Sequence, residues 1–427
     1  MTNEVLQKTA SDEQNVSSSN GLEPSLRFTG FYENWHEKYI KDVADVIGGG
    51  TPDTTKLEYW NGNIQWFTPT EIGHNKYVNK SKRTITEKGL KNSSAKLLPP
   101  KTILLTSRAT IGECSIIEKE CATNQGFQSL VPNSLINNEF CYYLINTKKK
   151  ELLRKASGST FLEISNSEIK QIKCKFPSLL EQQKIADFLF LVDRRIEKQR
   201  QLVESLKKYK RGLLSAIFDH KLRFKDENGN DYPEWDNFVL DNLGSFYNGL
   251  SGKNKDDFGT GNSEYITYMN VFKNTIANET ICERVNILPN EHQNIVNFGD
   301  LLFTQSSETM EEVGFCSVWN SHKKVFLNSF CFGLHFNNSK FAYPQFMAHY
   351  MRSYKIRLLI MRESQGATRI NLSSERLKKI ELSLPPYKEQ KIIAHFIERY
   401  DNTIQNEEKK LEMFNNLKQG LLQQMFI

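Results

Sequence analysis

Two stretches of this chain carry the same alternation of apolar and polar positions. In the first, Ile185, Leu189, Val192, Ile196 and Gln199, then Val203, Leu206, Lys210, Leu213 and Ile217, follow one another four and three apart. In the second, Ile393, Ile397, Tyr400, Ile404 and Glu407, then Leu411, Phe414, Lys418, Leu421 and Met425, repeat that spacing. Eight of the ten positions in each run are apolar, which is the seam of a coiled coil. No proline interrupts either run, and each begins just after Pro177 or Pro385-Pro386, where a helix start is expected. Roughly 38 helical residues span about 57 Å at ~1.5 Å per residue.

The two runs are copies of one element. Pro177 to Phe218 aligns without a gap onto Pro385 to Phe426 at an offset of 208, with 14 of 42 positions identical. Asp193/Asp401 and Lys210/Lys418 are among the identities. The period is too long for a solenoid, whose units run roughly 20–50 residues, so it marks domain duplication. Upstream landmarks agree. Leu26-Arg27-Phe28 recurs as Leu222-Arg223-Phe224, Trp35 as Trp235, Gly49 as Gly249, and Asn124 as Asn328. Gly112-Glu113-Cys114-Ser115-Ile116 recurs as Gly314-Phe315-Cys316-Ser317-Val318, and Gly158-Ser159-Thr160 as Gly366-Ala367-Thr368.

Between the copied helices the pattern is shorter in period. Thr102 to Thr106 and Cys114 to Ile117 read as strands bounded by turn residues. Phe140 to Lys155 and Tyr343 to Glu363 read as helices. The expected fold is α+β: two duplicated α/β domains, each followed by a long α-helix, the two helices pairing as an antiparallel coiled coil. The expected boundaries are a polar disordered arm at 1–21, a first domain at 22–176, its helix at 177–220, a second domain at 221–384 and its helix at 385–427. An antiparallel register that sets Gln199 against Lys418 and Lys210 against Glu407 gives every polar seam residue a polar partner. A shift by one heptad sets Lys210 against Tyr400 and Lys418 against Val192. Because unpaired charge in a seam is costly, the first register is expected.

Composition narrows the class. At 427 residues with 25% charged and 38% hydrophobic residues, the chain has an ordinary globular composition with room for two or three domains. A net charge of +6 permits an anionic partner without demanding one. Seven cysteines without a C-x-x-C pair argue against a disulfide framework or zinc ribbon and fit a reducing cytoplasm. No apolar run reaches the ~18 residues that span a bilayer, and the N-terminus lacks an apolar signal core, so no membrane partner is expected.

Catalytic motifs are missing. Gly249-Leu250-Ser251-Gly252-Lys253 lacks P-loop spacing, and there is no G-x-G-x-x-G, H-E-x-x-H or G-x-S-x-G. The eight histidines have no ligand spacing, so no metal and no catalytic residue is expected here.

The Pro-rich turn followed by Glu181-Gln182, and again by Glu389-Gln390, each opening a long amphipathic helix, resembles the signature of Type I restriction-modification specificity subunits. Gly49-Gly50-Thr51-Pro52 with Tyr59-Trp60 and Trp66 is similar to the start of a target recognition domain in that family. The resemblance covers Leu22 to Ile427. It implies that each globular half reads one part of a bipartite, asymmetric double-stranded DNA site, while the paired helices fix the gap. It implies docking of two modification subunits carrying S-adenosylmethionine for adenine methylation, and of restriction subunits using ATP and Mg. This chain would be non-catalytic and hold no cofactor.

Loops are expected to carry the recognition. In the first half the candidates are Gly49, Gly50 and Thr51, then Ser107 and Arg108, then Asn124 and Gln125, then Ser157, Gly158, Ser159 and Thr160. In the second they are Gly249, Ser251 and Lys253, then Gln305, Ser306 and Ser307, then Asn328, then Gly366, Thr368, Arg369 and Asn371. Arg suits guanine edges, and Asn or Gln adenine edges. The second half departs from the first: Arg108 aligns with Ser306, and acidic Glu308, Glu311 and Glu312 follow. Acidic residues repel phosphate, but a Glu suits a cytosine amino group. Plainer roles stand beside these. Gly158 and Gly366 suit helix C-termini, Cys114 and Cys316 buried strands, and Trp35 and Trp235 a core. The basic residues of the first helix suit a solvated face. The competing reading for the whole chain is a coiled-coil scaffold that binds proteins without DNA specificity. An enzyme with an unrecognised site is a third.

Overall fold

The computed structural model describes residues 23–158, 162–338 and 340–427, with the backbone of Leu6–Lys8. Leu6–Lys8, inside the arm expected to be disordered, forms a strand antiparallel to Leu26–Phe28. The chain divides into two units, Met1–Arg200 with Lys409–Ile427, and Gln201–Glu408. The division falls inside the two long helices, Leu179–Phe218 and Tyr387–Met425.

The first unit is built on a five-stranded sheet in the order Ala44–Gly48, Gln128–Pro132, Ile103–Leu105, Cys114–Ile117, Tyr77–Val78. Its central strands are buried on both faces, which is why Ile103-Leu104-Leu105 and Cys114–Ile117 read as short apolar runs. A three-stranded sheet of Cys121–Thr123, Trp60–Phe67 and Arg83–Ile85 flanks it. The second unit repeats the plan. Its main sheet runs Gly244–Asn248, Cys331–Phe336, Leu301–Thr304, Cys316–Val318. Its flanking sheet runs Glu283–Val285, Phe258–Ile266, Phe326–Leu327. The helical stretch expected at Phe140 to Lys155 is two helices, Asn138–Thr147 and Lys149–Lys155, broken at Lys148. Its counterpart is likewise Pro344–Met351 and Tyr354–Glu363.

The Glu-Gln signature turns out to be an internal lock. Glu181 accepts two bonds of 2.8 Å from the Arg27 guanidinium and one of 3.3 Å from Trp35 Nε1. Gln182 donates to the carbonyls of Pro177 and Leu135 and accepts from the Asn137 amide. In the second unit Arg223 grips Glu389 at 3.2 and 2.9 Å. Gln390 there donates to Pro385 and Phe341 and accepts from the Tyr343 amide. All four Glu and Gln side chains are buried, where a charge persists only when paired and hydrogen-bonded. The repeated Leu-Arg-Phe segments therefore exist to hold the starts of the repeated helices.

Each unit receives the beginning of one long helix and the end of the other. In the first unit Ile185, Ala186 and Leu189 share a core with Leu421, Met425 and Phe426. In the second, Ile393, Ala394 and Ile397 share a core with Ile217 and Phe218. The pairing is antiparallel: Asp193 meets Lys418 and Arg195 lies over Phe414 in one unit, while Lys207 meets Glu408 and Lys210 meets Asp401 in the other. None of the sixteen apolar seam residues is exposed.

The register differs from the expected one. Lys210 sits beside Tyr400 and Asp401, with the Tyr209 and Tyr400 rings 6.0 Å apart, and Lys418 sits by Asp193. This is the heptad-shifted arrangement. The expectation weighed only seam positions against each other. The lysines instead bend to carboxylates one position outside the seam, as long cationic side chains do.

Candidate nucleic-acid interface

Four loops of the first unit converge at one end of its sheets. The chain leaving the Ala44–Gly48 strand runs against the 123–127 turn, where the Gly49 and Gly50 amides donate to the Phe127 and Thr123 carbonyls. A Cβ on Gly49 would lie 1.9 Å from the Asn124 carbonyl oxygen, so glycine is required there by backbone contact. Thr51 and Gln125 join side chains across the same gap. The Ser107 amide donates to the Gly126 carbonyl at 2.8 Å, and the Ile164 amide to the Ser107 carbonyl at 3.1 Å. Ser157 and Glu163 exchange two backbone bonds of 3.0 Å, closing a small hairpin. Arg108 is held by Glu163 at 2.8 Å with its side chain 43% exposed.

The second unit repeats this network with other side chains. The Gly249 amide donates to Cys331, and a Cβ there would lie 2.1 Å from the Asn328 carbonyl oxygen. The Gln305 amide donates to Phe330 and the Leu372 amide to Gln305, both at 2.8 Å. Gln365 and Asn371 close the equivalent hairpin at 2.9 and 2.7 Å. Asn124 and Asn328 do the same local work, each accepting from the amide two residues on.

The candidates thus gather into one cluster per unit, but not all present side chains outward. Gly50, Ser107, Gly249, Ser306 and Ser307 are buried. Gln125, Ser157, Gly158, Ser251, Gln305, Gly366, Thr368, Arg369 and Asn371 are exposed. Lys253 is turned inward onto Glu291 at 2.5 Å, its side chain 2% exposed, and so is not poised for phosphate. Ser159 and Thr160 lie outside the described residues. Gly158 and Gly366 adopt φ of +138° and +135° within the hairpins, beyond the C-caps Ala156 and Ser364, so they are not helix-terminal glycines. Trp35 and Trp235 are core residues. Cys114 lies on a buried strand, and burial pushes its thiol up to about 12. In the helices, Arg200 pairs with Glu197 and Lys207 with Glu408, so part of the basic face is engaged within each unit.

Glu163 is not among the residues expected from sequence. It stands 208 positions before the expected Asn371, so the repeat itself carried the signal. The walls of a cavity of about 340 Å³ in the second cluster were also missed: Tyr268, Met269, Phe272 and Phe330 line it with Ser306, Ser307 and Arg369. Among the described residues, no group of three or more His, Cys, Asp or Glu is placed to hold a metal ion. No helix there is long and apolar enough to cross a membrane.

The profile of one protein family, the Type I restriction modification DNA specificity domain, matches residues 32–208 and 232–415. The chain is 41% identical over 199 residues to the Type I restriction enzyme MjaIX specificity subunit of Methanocaldococcus jannaschii, covering 46% of each. It is 30% identical over 159 residues to the EcoR124I/EcoR124II specificity subunit of Escherichia coli, covering 36% of this chain and 39% of that one. The chain therefore spans less than half the length of these curated relatives. In solved structures, it resembles the Type I restriction-modification S subunit from M. genitalium at 16% identity and a TM-score of 0.53, covering 95% of this chain and 99% of that one. A chain from a type I R-M assembly matches with a TM-score of 0.61 at 15% identity, covering 92% of this chain and 97% of that one. At such identities the likeness is one of fold.

Proposed function

Since the chain belongs to the Type I restriction modification DNA specificity family, we propose that it is the non-catalytic subunit that reads a split, asymmetric double-stranded DNA site, one part with each unit. The observation that carries this reading is the loop cluster built twice on the same backbone network with different side chains. Arg108 and Glu163 in one unit stand where Ser306 and Asn371 stand in the other. A shared backbone with divergent exposed groups suits two readers of unlike sequences, since phosphate contacts position a protein while side chains on base edges specify.

In this proposal two modification subunits dock on the chain in the cytoplasm and carry S-adenosylmethionine for adenine methylation. Restriction subunits supply ATP- and Mg-dependent cleavage. The chain contributes the address.

The test is methylation mapping. The chain is co-expressed with a cognate modification subunit and modified adenines are located genome-wide. A single split motif with a fixed gap, lost when the chain is omitted, supports the reading. No motif, together with salt-insensitive binding of the complex to DNA, favours the protein-binding scaffold.

A further inference from the structure

The second unit's cluster contains a cavity of about 340 Å³. In the first unit the carbonyl that receives the Ser107 amide belongs to Gly126, and a Cβ there would lie 2.7 Å from Pro69. Proline and glycine close against each other at that point. In the second unit the equivalent carbonyl belongs to Phe330, whose side chain is 56% exposed. The space beside it is walled by Tyr268 and Phe272, stacked at 6.0 Å, and edged by exposed Met269. Tyr268 is fixed by donating to the Ser306 carbonyl at 2.6 Å.

The cavity's lining is also charged. Glu308, Glu312 and Arg369 all line it. Glu312 is steered by the Ser307 hydroxyl at 3.3 Å. Glu308 and Arg369 make no ion pair among the described residues, although both face the same space. Ser306 also lines the cavity, with its hydroxyl buried and without a hydrogen-bond partner among the described residues.

We propose that this cavity reads a cytosine–guanine pair in the part of the DNA site addressed by the second unit. The proposal rests on the DNA-recognition reading above. The Glu308 carboxylate accepts from the cytosine N4 amino group, and Arg369 donates to O6 and N7 of the paired guanine. Met269 and Phe330 pack on the cytosine C5 edge. Adenine suits the site less, because its N7 acceptor adjoins the amino group and would face a carboxylate. A carboxylate and a guanidinium kept apart across one cavity complement a pair that offers a donor on one base and two acceptors on the other.

The test selects duplexes from a randomised pool with the full chain in complex with its modification subunits. The wild-type complex is expected to return a split motif. Glu308→Gln and Arg369→Ala are each expected to relax one and the same C·G position by about tenfold, while the other half of the motif is kept. Its retention shows that the variants are folded. Glu311→Gln, which lies outside the cavity lining, is expected to leave the motif intact. The proposal is overturned if the wild-type motif persists unchanged in both cavity variants, if they relax different positions or an A·T position, or if Glu311→Gln relaxes the same one. Absence of any motif with the wild-type complex would overturn the DNA-recognition reading itself, and this proposal with it.

Discussion

Lys418 donates to Asp193 at 2.6 Å, and the residues 208 positions earlier and later, Lys210 and Asp401, form the same pair in the other unit. A charge in the helix seam is thus matched twice by a carboxylate just outside it. The first pair is tied more firmly, because Tyr143 also donates to Asp193 at 2.6 Å, whereas the buried His349, which holds Tyr143's place in the repeat, makes no hydrogen bond to Asp401 among the described residues. A double-mutant cycle on Lys418→Met and Asp193→Asn should give a coupling of about 1 kcal/mol in urea unfolding. The cycle on Lys210→Met and Asp401→Asn should give less. Equal or absent coupling would refute the ranking.

Removing Arg27 strands the buried Glu181 carboxylate. Arg27→Ala should cost about 3 kcal/mol, read as a lower midpoint in denaturant. Arg27→Lys should recover little, since an ammonium cannot bridge both oxygens. Arg223→Ala should cost less, because Arg223 is 20% exposed and Glu389 lacks the indole bond that Trp35 gives Glu181.

Glycine contrasts offer a sharper check of geometry. Gly49→Ala and Gly249→Ala each place a methyl group on a carbonyl oxygen and should destabilise by about 1–3 kcal/mol. Gly212→Ala, in a helix with nothing within 4 Å of the added carbon, should stabilise by about 0.5–1 kcal/mol. Thermal melts of the three variants decide this, and a stable Gly49→Ala would contradict the loop packing.

His349 supplies a pH dependence. Burial, with Lys210 and Arg352 nearby, pulls its imidazole down to about 3 from an ordinary 6.5. The unfolded chain therefore binds the proton first. The neutral ring's contribution is complete above pH 6.5 and is lost as pH falls from there toward 3. At pH 5 the loss is about 2 kcal/mol. His349→Phe should flatten the fall in unfolding midpoint between pH 7 and 5, and an unchanged slope would exclude His349 as its source.

The long helices were legible because a strict seven-residue apolar repeat suits a paired helix and little else. The duplication was legible because Glu181, Gln182, Asp193 and Lys210 recur at one offset, and each proves to be buried or paired for a structural reason. The seam register was not legible: it turned on how far a lysine reaches, and Asp193 lies outside the pattern being matched. The expected loops gather into one cluster per unit, but which side chains face out was hidden. Lys253 looked like a phosphate ligand, and only its packing against Glu291, 38 positions away, turns it inward. The cavity was invisible because Tyr268, Ser306 and Phe330 come from three separate segments and share no spacing.

The core of the first unit has a consequence for synthesis. Leu421, Met425 and Phe426 complete it, yet the ribosome delivers them only after the whole of Gln201–Glu408. Phe426 sits 5.1 Å from Phe140 and 6.5 Å from Trp35, so a stop codon before Leu421 would open the domain made first. Folding of the first half waits on translation of the second, and an incomplete chain exposes the apolar surface of the first unit's core for proteases to find.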